Sequence, residues 1–227
     1  MIKLLIITSI ILSVLYNLYD YYLLRDIYSC LNNFDSDKIY EYPNFLSDIE
    51  CDKIIELSKK GVKRSTVITD ESKEIVSNVR TSSNTFLNNK MDPVLNDINN
   101  KIQSLTGIKS KKYEDLQIVN YKPEQLYEAH WDACDPFHDK RCINDTKRGG
   151  LRFATFIIYL NDDFEEGETE FPLVNKKVKP EKGKAVLFFN LNDDLLKRKE
   201  NSKHAGLPPK NGEKWMCNKW IRLYDFK

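Results

Sequence analysis

The sequence predicts an α+β fold: a jelly-roll (double-stranded β-helix) core with helices packed on one face. Two segments with helical apolar periodicity come first, and from residue 115 onward the apolar pattern alternates as it does in strands. Turn signals separate these strands, an order typical of a double-sheet barrel backed by helices. The length of 227 residues allows one such domain with an appendage.

The N-terminal segment is predicted to be an appendage that targets the chain to a membrane. Residues 2–15 are almost wholly apolar, and diluted apolar character continues to Leu24. The clean run is shorter than the ~20 residues that span a bilayer comfortably, and no small-residue cleavage site follows it. We therefore expect an uncleaved signal-anchor over residues 1–24, a polar linker over 25–40 and the globular domain over 41–227. A cleaved signal peptide and a core helix remain alternatives for the first segment.

Two helices are predicted from their end signals. Ser47 to Glu50 is a capping box that begins the first helix, which Gly61 should end. Asp92 as N-cap and Pro93 in the first turn begin the second, which Gly107 ends. The apolar stripes expected to be buried are Cys51, Ile54, Ile55 and Ser58 in the first helix and Leu95, Ile98, Ile102 and Leu105 in the second.

Seven strands are predicted after the helices. They run over residues 116–121, 127–132, 152–160, 168–171, 176–178, 184–190 and 214–223. In the last strand Lys214 and Trp220 have the same parity, so both should point into the barrel. A lysine on an inner wall needs an anionic partner, because an unpaired buried ammonium is costly. An organic acid bound inside the barrel would provide that partner.

The chief functional signal consists of two histidines and an aspartate. In an extended strand, His130 and Asp132 point the same way and can chelate one ion, and His204 comes from a later strand or its end. Two imidazoles and one carboxylate form the facial triad of non-haem Fe(II) oxygenases. Lys214, ten residues after His204, places a positive charge where the far carboxylate of a dicarboxylate cosubstrate would lie.

Composition and cysteine spacing limit the remaining classes. The net charge of +1 gives no electrostatic indication of nucleic-acid binding. The five cysteines include no C-x-x-C pair, so no structural zinc site is predicted. Cys134 and Cys142 bracket a short loop and could pair in an oxidising compartment; two reduced thiols are an equal alternative.

A series of ordered motifs carries a family resemblance. They are Leu116–Tyr121 leading to His130-Trp-Asp132, RFATFIIYLND from Arg152, GETEFP from Gly167, KAVLFFN from Lys184, and HAGLPPKNGEKWMCNKWIR from His204. With these motifs the chain resembles prolyl 4-hydroxylases of the Fe(II)- and 2-oxoglutarate-dependent oxygenase superfamily. The similarity covers roughly residues 40 to 225, and the chain resembles the shorter plant, algal and viral forms.

The resemblance implies roles for individual positions. His130, Asp132 and His204 match the iron ligands. Lys214 matches the lysine that pairs with the 5-carboxylate of 2-oxoglutarate. The positions that hydrogen-bond the cosubstrate are Tyr121 and Thr169, and those that line the peptide groove are Tyr127, Arg152 and Trp220.

Four positions or segments depart from the family pattern, among them Leu207, which stands where a cysteine is common. Glu166 stands where the first glycine of a G-G-E-T segment is usual, and Arg222 stands where some members have histidine. The loop between Cys134 and Gly149 carries extra residues, so substrate entry is expected to differ.

The implied activity is that of a procollagen-proline 4-dioxygenase. Fe(II), 2-oxoglutarate and O2 would act on peptidyl proline in proline-rich or collagen-like sequences, with L-ascorbate as reductant. Hydroxylation of another protein side chain or a free amino acid is the first alternative, and a non-catalytic metal- or ligand-binding barrel is the second. Because related hydroxylases act on secretory proteins, the endoplasmic reticulum membrane or lumen is expected, or a viral or host compartment if the source is a virus.

Overall fold

The architecture is given by a computed structural model, which describes residues 2–68, 74–140 and 142–227. Two antiparallel sheets face each other, and helices cover the outer face of the larger one. The helices are α1 (Ile2–Asn33), α2 (Asp48–Ser58), α3 (Pro93–Thr106) and the short α4 (Cys142–Asp145). This arrangement confirms the predicted jelly roll.

Fifteen strands are formed by the described residues. In chain order they are β1 (Tyr40–Tyr42), β2 (Lys63–Arg64), β3 (Val67–Ile68), β4 (Glu74–Ile75), β5 (Ser83–Leu87), β6 (Leu116–Tyr121), β7 (Tyr127–His130), β8 (Arg152–Tyr159), β9 (Glu165–Glu166), β10 (Thr169–Phe171), β11 (Lys176–Val178), β12 (Ala185–Phe189), β13 (His204–Gly206), β14 (Pro209–Lys210) and β15 (Lys214–Arg222). The seven predicted strands are all present, with ends displaced by at most two residues.

The larger sheet has the order β1-β12-β8-β15-β6-β5-β2, and the smaller sheet has the order β11-β10-β13-β7. Two further pairs, β9 with β14 and β3 with β4, stand apart from them. The register of β13 on β7 places His204 directly opposite His130. The register of β15 on β6 places Lys214 opposite Tyr121. Strand pairing therefore brings residues far apart in sequence to one interior.

Alternation along the strands of the larger sheet divides the core in two. Between the sheets lie Val119, Tyr121, Ile157, Tyr159, Phe171, Val178, Val186, Phe188 and Met216. On the outer face, residues such as Ile118, Phe156 and Ile158 pack with the helices. The inner parity of β15 is confirmed, because Met216, Asn218 and Trp220 all line interior cavities.

Three of the four predicted helix end signals act as expected, and Gly61 does not. Ser47 and Glu50 form the capping box of α2, and Asp92 accepts the backbone N–H of Val94 at the start of α3. Gly107 ends α3 with a left-handed φ of 74°. Helix α2 ends at Ser58, with Lys59 as its C-cap, before the glycine expected to end it.

The linker predicted over residues 25–40 differs from the structure between Arg25 and Asn33, where α1 continues without a break. Leu24, Ile27 and Cys30 are buried against the domain. Their spacing of three residues places them on one helix face, and that stripe packs on the outer core. Of the polar residues between them, Arg25 and Ser29 are exposed, whereas Asp26 is largely buried against the domain.

The predicted signal-anchor over residues 1–24 begins at Met1, which lies outside the described residues, as do the side chains of residues 2–11. The rest of this segment belongs to α1. Within the part of the chain that the structure describes, no helix has both the length and the apolar character needed to cross a membrane.

Polar contacts also attach α1 to the domain. Lys112 is buried, and its Nζ donates to Asp26 Oδ1 and to the Leu23 carbonyl, both at 2.7 Å. Tyr224 donates its hydroxyl to Asp20 at 2.8 Å. The C-terminal half of α1 is thus part of the globular unit.

We expect Asp26→Ala to destabilise the protein by about 3 kcal/mol, because it leaves the buried Lys112 ammonium without its counter-charge. Urea denaturation followed by circular dichroism measures the free energy of unfolding. The control is Asp225→Ala, which removes the exposed partner of Lys111 at 2.9 Å and should cost less than about 1 kcal/mol. Equal losses in the two variants would contradict the buried role of Asp26.

Candidate active site

Three predicted metal ligands converge at the ends of β7 and β13. One donor atom from each of His130, Asp132 and His204 lies within 4.8 Å of the other two. His130 Nε2 is 3.8 Å from Asp132 Oδ1, and His204 Nε2 is 3.7 Å from Asp132 Oδ2. Among the described residues, these three form the cluster of histidine, cysteine or carboxylate side chains that is large and compact enough to hold a metal ion.

Backbone contacts prepare both imidazoles for metal binding. His130 Nδ1 lies 2.8 Å from the carbonyl oxygen of Glu128, and His204 Nδ1 lies 2.9 Å from that of Ser202. A carbonyl only accepts, so each Nδ1 carries the proton and each Nε2 keeps its lone pair. The two free Nε2 atoms and one carboxylate fit the donor set of a non-haem Fe(II) centre.

Burial and charge keep this donor set in its metal-binding protonation state. Burial is the main cause that lowers the pKa of His130, so its ring stays neutral. Burial would raise the pKa of Asp132, but His204, His130 and Arg152 outweigh it and lower that pKa below its ordinary value.

Thr155 and Asn190, which are absent from the predicted site, hold the carboxylate of Asp132. Thr155 Oγ1 donates to Asp132 Oδ2 at 2.7 Å and accepts from Asn190 Nδ2 at 2.8 Å. Both residues are fully buried. Thr155 lies on β8 in the RFATFIIYLND motif, and Asn190 follows β12 at the end of the KAVLFFN motif. A single hydroxyl or amide side chain in an otherwise apolar strand is the sequence signal that could have identified them.

We expect Thr155→Val to weaken Fe(II) binding roughly tenfold, because outer contacts of metal ligands typically contribute 10–100-fold to metal affinity. Titration with Co(II), followed by its absorption bands, measures the affinity without turnover. Thr106→Val is the matched control, since it removes a buried hydroxyl that bonds the Ile102 carbonyl within α3. Unchanged Co(II) affinity in Thr155→Val would show that the hydroxyl does not orient Asp132.

Lys214 lies on the inner wall, as the parity of β15 predicts. It is fully buried, and its Nζ donates to the Gly167 carbonyl at 2.7 Å. Among the described residues it forms no salt bridge. Burial lowers the pKa of Lys214 to about 7. An ammonium held without a carboxylate in this place fits a site that receives an anionic ligand.

The two predicted cosubstrate contacts lie beside the two histidines of the triad, and the Lys214 ammonium is 5.0 Å from the centroid of the Tyr121 ring. Tyr121, Thr169 and Gly206 border a narrow cavity there, together with His130 and His204. Thr169 Oγ1 accepts from the Tyr159 hydroxyl at 2.7 Å, so Tyr159, absent from the predicted site, orients this threonine. A Cβ at Gly206 would lie 3.0 Å from the Tyr121 hydroxyl, so glycine there leaves room for that tyrosine.

The three predicted groove residues line a larger cavity of about 970 Å3 that also reaches His130 and Asp132. Tyr127 stacks on the His130 ring, with centroids 3.6 Å apart. Arg152 Cζ lies 3.6 Å from the centroid of the Trp220 ring. Arg152 also donates to Glu114 at 2.6 and 3.0 Å, so it is both an ion-pair partner and part of the cavity wall.

The loop between Cys134 and Gly149, here called the insert, contributes to the wall of this cavity. A disulfide joins Cys134 to Cys142, and Asn144 and Asp145 line the cavity beyond it. The structure therefore contains the disulfide and not the two reduced thiols that were its alternative. Glu166 has a left-handed φ of 59°, which accounts for the glycine usual at this position.

Comparison with known proteins places the site in a family. The model of the 2OG-Fe(II) oxygenase superfamily matches residues 116–222, which include the triad and Lys214. The Arabidopsis thaliana protein "Prolyl 4-hydroxylase 2" is 39% identical over 211 residues, which are 83% of this chain and 68% of that protein. The "Putative prolyl 4-hydroxylase" of Acanthamoeba polyphaga mimivirus is 34% identical over 204 residues, covering 89% of this chain and 82% of that one.

A solved structure is also similar. The viral collagen prolyl hydroxylase of Paramecium Bursaria Chlorella virus-1, solved as a 2OG complex, superposes with a TM-score of 0.63 at 32% identity. The match covers 81% of this chain and 94% of that protein.

Proposed function

The chain belongs to the prolyl 4-hydroxylase family of 2OG-Fe(II) oxygenases, and from this premise we propose that it hydroxylates proline within proline-rich or collagen-like sequences. It is a 2-oxoglutarate-dependent enzyme. The observation that carries the proposal is the convergence of His130, Asp132 and His204 beside two interior cavities. The buried ammonium of Lys214 lies on the inner wall and forms no salt bridge among the described residues.

The iron site would be held by Nε2 of His130, Nε2 of His204 and the Asp132 carboxylate. Bound Fe(II) supplies the redox chemistry that couples decarboxylation of 2-oxoglutarate to hydroxylation by O2, with L-ascorbate restoring the ferrous state. These three side chains would hold the iron and leave it accessible to the cosubstrate and O2. Thr155 donates to the Asp132 carboxylate and holds it in one orientation, so the position of this donor group would stay fixed when iron binds.

The cosubstrate would lie between the triad and Lys214. The Lys214 ammonium would pair with the 5-carboxylate, and the hydroxyl groups of Tyr121 and Thr169 would hydrogen-bond the same molecule. Because Lys214 is fully buried, this pair forms away from water, where a charge-assisted hydrogen bond is strong. The lysine thereby orients the keto-acid end toward the triad.

The peptide would lie in the larger cavity. Tyr127 and Trp220 present aromatic rings there, and a polyproline II segment packs well on such surfaces. The Arg152 guanidinium beneath Trp220 keeps that ring in place. The target proline would then lie near His130 and Asp132, which border this cavity.

The test is incubation of the purified protein with Fe(II), 2-oxoglutarate, ascorbate and poly(L-proline) or a collagen-like Pro-Pro-Gly peptide. We expect succinate release and a gain of one oxygen atom on proline. If succinate forms with another protein substrate while every proline peptide stays unmodified, the proline assignment is wrong. A proteome-wide search for hydroxylated residues lost on gene deletion then identifies the side chain that is modified.

We propose that the protein acts in the secretory pathway, attached to the endoplasmic reticulum membrane by its N-terminal segment. The apolar residues 2–15 support this, as does the disulfide between Cys134 and Cys142, since disulfides persist in oxidising compartments. Asn144, in an Asn-Asp-Thr sequon, is exposed. Expression in eukaryotic cells should give a glycan removed by endoglycosidase. An unglycosylated domain digested by protease from the cytosolic side would overturn the lumenal placement.

A further inference from the structure

A buried arginine joins the insert to the core of the domain. Arg222, at the end of β15, is fully buried. Its Nη2 donates to Asp145 Oδ1 at 2.8 Å, and its Nη1 donates to Asp145 Oδ2 at 3.1 Å and to the Gly150 carbonyl at 2.7 Å. Asp145 belongs to α4, so this bidentate salt bridge links the insert to the larger sheet.

Arg222 also contacts a second carboxylate, that of Glu114, which it shares with Arg152 in the cavity wall. Glu114 Oε1 accepts from Arg222 Nε at 2.8 Å and from Arg152 Nε at 2.6 Å, and Glu114 Oε2 accepts from Arg152 Nη2 at 3.0 Å. The Glu114 side chain is 1% exposed, so water does not screen these pairs. One buried carboxylate therefore sets the positions of both guanidinium groups.

Arg152 carries this connection to the place where a peptide would bind. Its Cζ lies 3.6 Å from the centroid of the Trp220 ring, and its Nη1 is 3.5 Å from the Asp132 carbonyl oxygen. The charged groups alternate in sign along the path, Asp145, Arg222, Glu114 and Arg152. Loss of one member leaves its neighbour buried with an incomplete set of partners.

The insert is also held covalently, so Asp145 has a defined place. The disulfide between Cys134 and Cys142 closes the segment before Asp145, and Thr146 donates its hydroxyl to the Cys142 carbonyl. The Asp145 side chain keeps 25% exposure and borders the cavity, so it is the point where the path meets the substrate space.

We propose that Asp145 is a positioning residue for the peptide substrate: through Arg222 and Glu114 it holds Arg152 against Trp220, and so sets peptide affinity without affecting 2-oxoglutarate. This inference rests on the proposed proline hydroxylation for the identity of the ligand. The path itself consists of contacts within the chain and can be tested without turnover.

Kinetics of Asp145→Asn provide the first test. We expect its KM for a Pro-Pro-Gly peptide to rise about tenfold, while its KM for 2-oxoglutarate stays unchanged, because Lys214 lies outside the path. Asp145→Glu should recover most of the peptide affinity. Asp97→Asn, which removes an exposed carboxylate on α3, is the matched control and should leave both constants unchanged.

The second test reads Arg152 directly. The 1H–15N spectrum of arginine Nε–H groups should show protected signals for Arg152 and Arg222 in the native protein. In Asp145→Asn both signals should shift or exchange faster, whereas Asp97→Asn should keep them. An Arg152 signal identical in Asp145→Asn and native protein overturns the proposal. If the native protein hydroxylates no proline peptide, the proposed substrate is wrong, and this spectrum still decides the role of Asp145.

Discussion

Replacing His204 with alanine is expected to abolish turnover while leaving the fold intact. The imidazole supplies one of the donor atoms that lie within 4.8 Å of one another, and the remaining two would hold iron weakly. Contacts outside a metal's ligands already contribute 10–100-fold, so loss of a ligand should lower activity by at least roughly 100-fold. Succinate release dependent on 2-oxoglutarate measures turnover, and circular dichroism reports the fold.

The third histidine of the chain provides the control for this prediction. His138 is exposed and contacts Asp135 at 3.0 Å in the insert. His138→Ala removes the same kind of side chain outside the triad and should keep native activity. Full activity of His204→Ala at ordinary iron concentration would show that the ligand assignment is wrong.

Replacing Lys214 with methionine is expected to raise the KM for 2-oxoglutarate by about 10–100-fold, the equivalent of a charge-assisted pair of ~1.5–3 kcal/mol. Methionine fills a similar volume without a charge. The same change should stabilise the ligand-free protein, because the native ammonium is fully buried and bonds only the Gly167 carbonyl among the described residues. Lower thermal stability together with an unchanged KM would contradict both expectations.

The pH dependence of 2-oxoglutarate binding follows from the same lysine. Burial lowers the pKa of Lys214 to about 7, and a bound carboxylate would raise it. Affinity should therefore be greatest below pH 7 and should fall as pH rises above it, with a proton taken up on binding at pH 8. Calorimetry of the Mn(II)-loaded protein in two buffers of different ionisation enthalpy measures this uptake, and Lys214→Met should lack it.

Local signals in the sequence determined the elements and the main donor set. The capping box at Ser47, the Asp92-Pro93 start and Gly107 define α2 and α3, because helix ends depend on nearby side chains. Strand parity placed His130 beside Asp132 and Lys214 on the inner wall, because alternation is a property of the extended chain itself. Ordered motifs then identified the family.

Tertiary structure alone decided which distant residues meet. The opposition of His204 and His130 depends on the register of β13 on β7. Thr155 and Asn190 behind Asp132, and Arg222 between Glu114 and Asp145, are contacts across 23 to 108 positions of sequence, which no local pattern encodes. The predicted linker is wrong between Arg25 and Asn33 for the same reason, because the apolar stripe of α1 has packing partners only once the sheet and the other helices provide a surface.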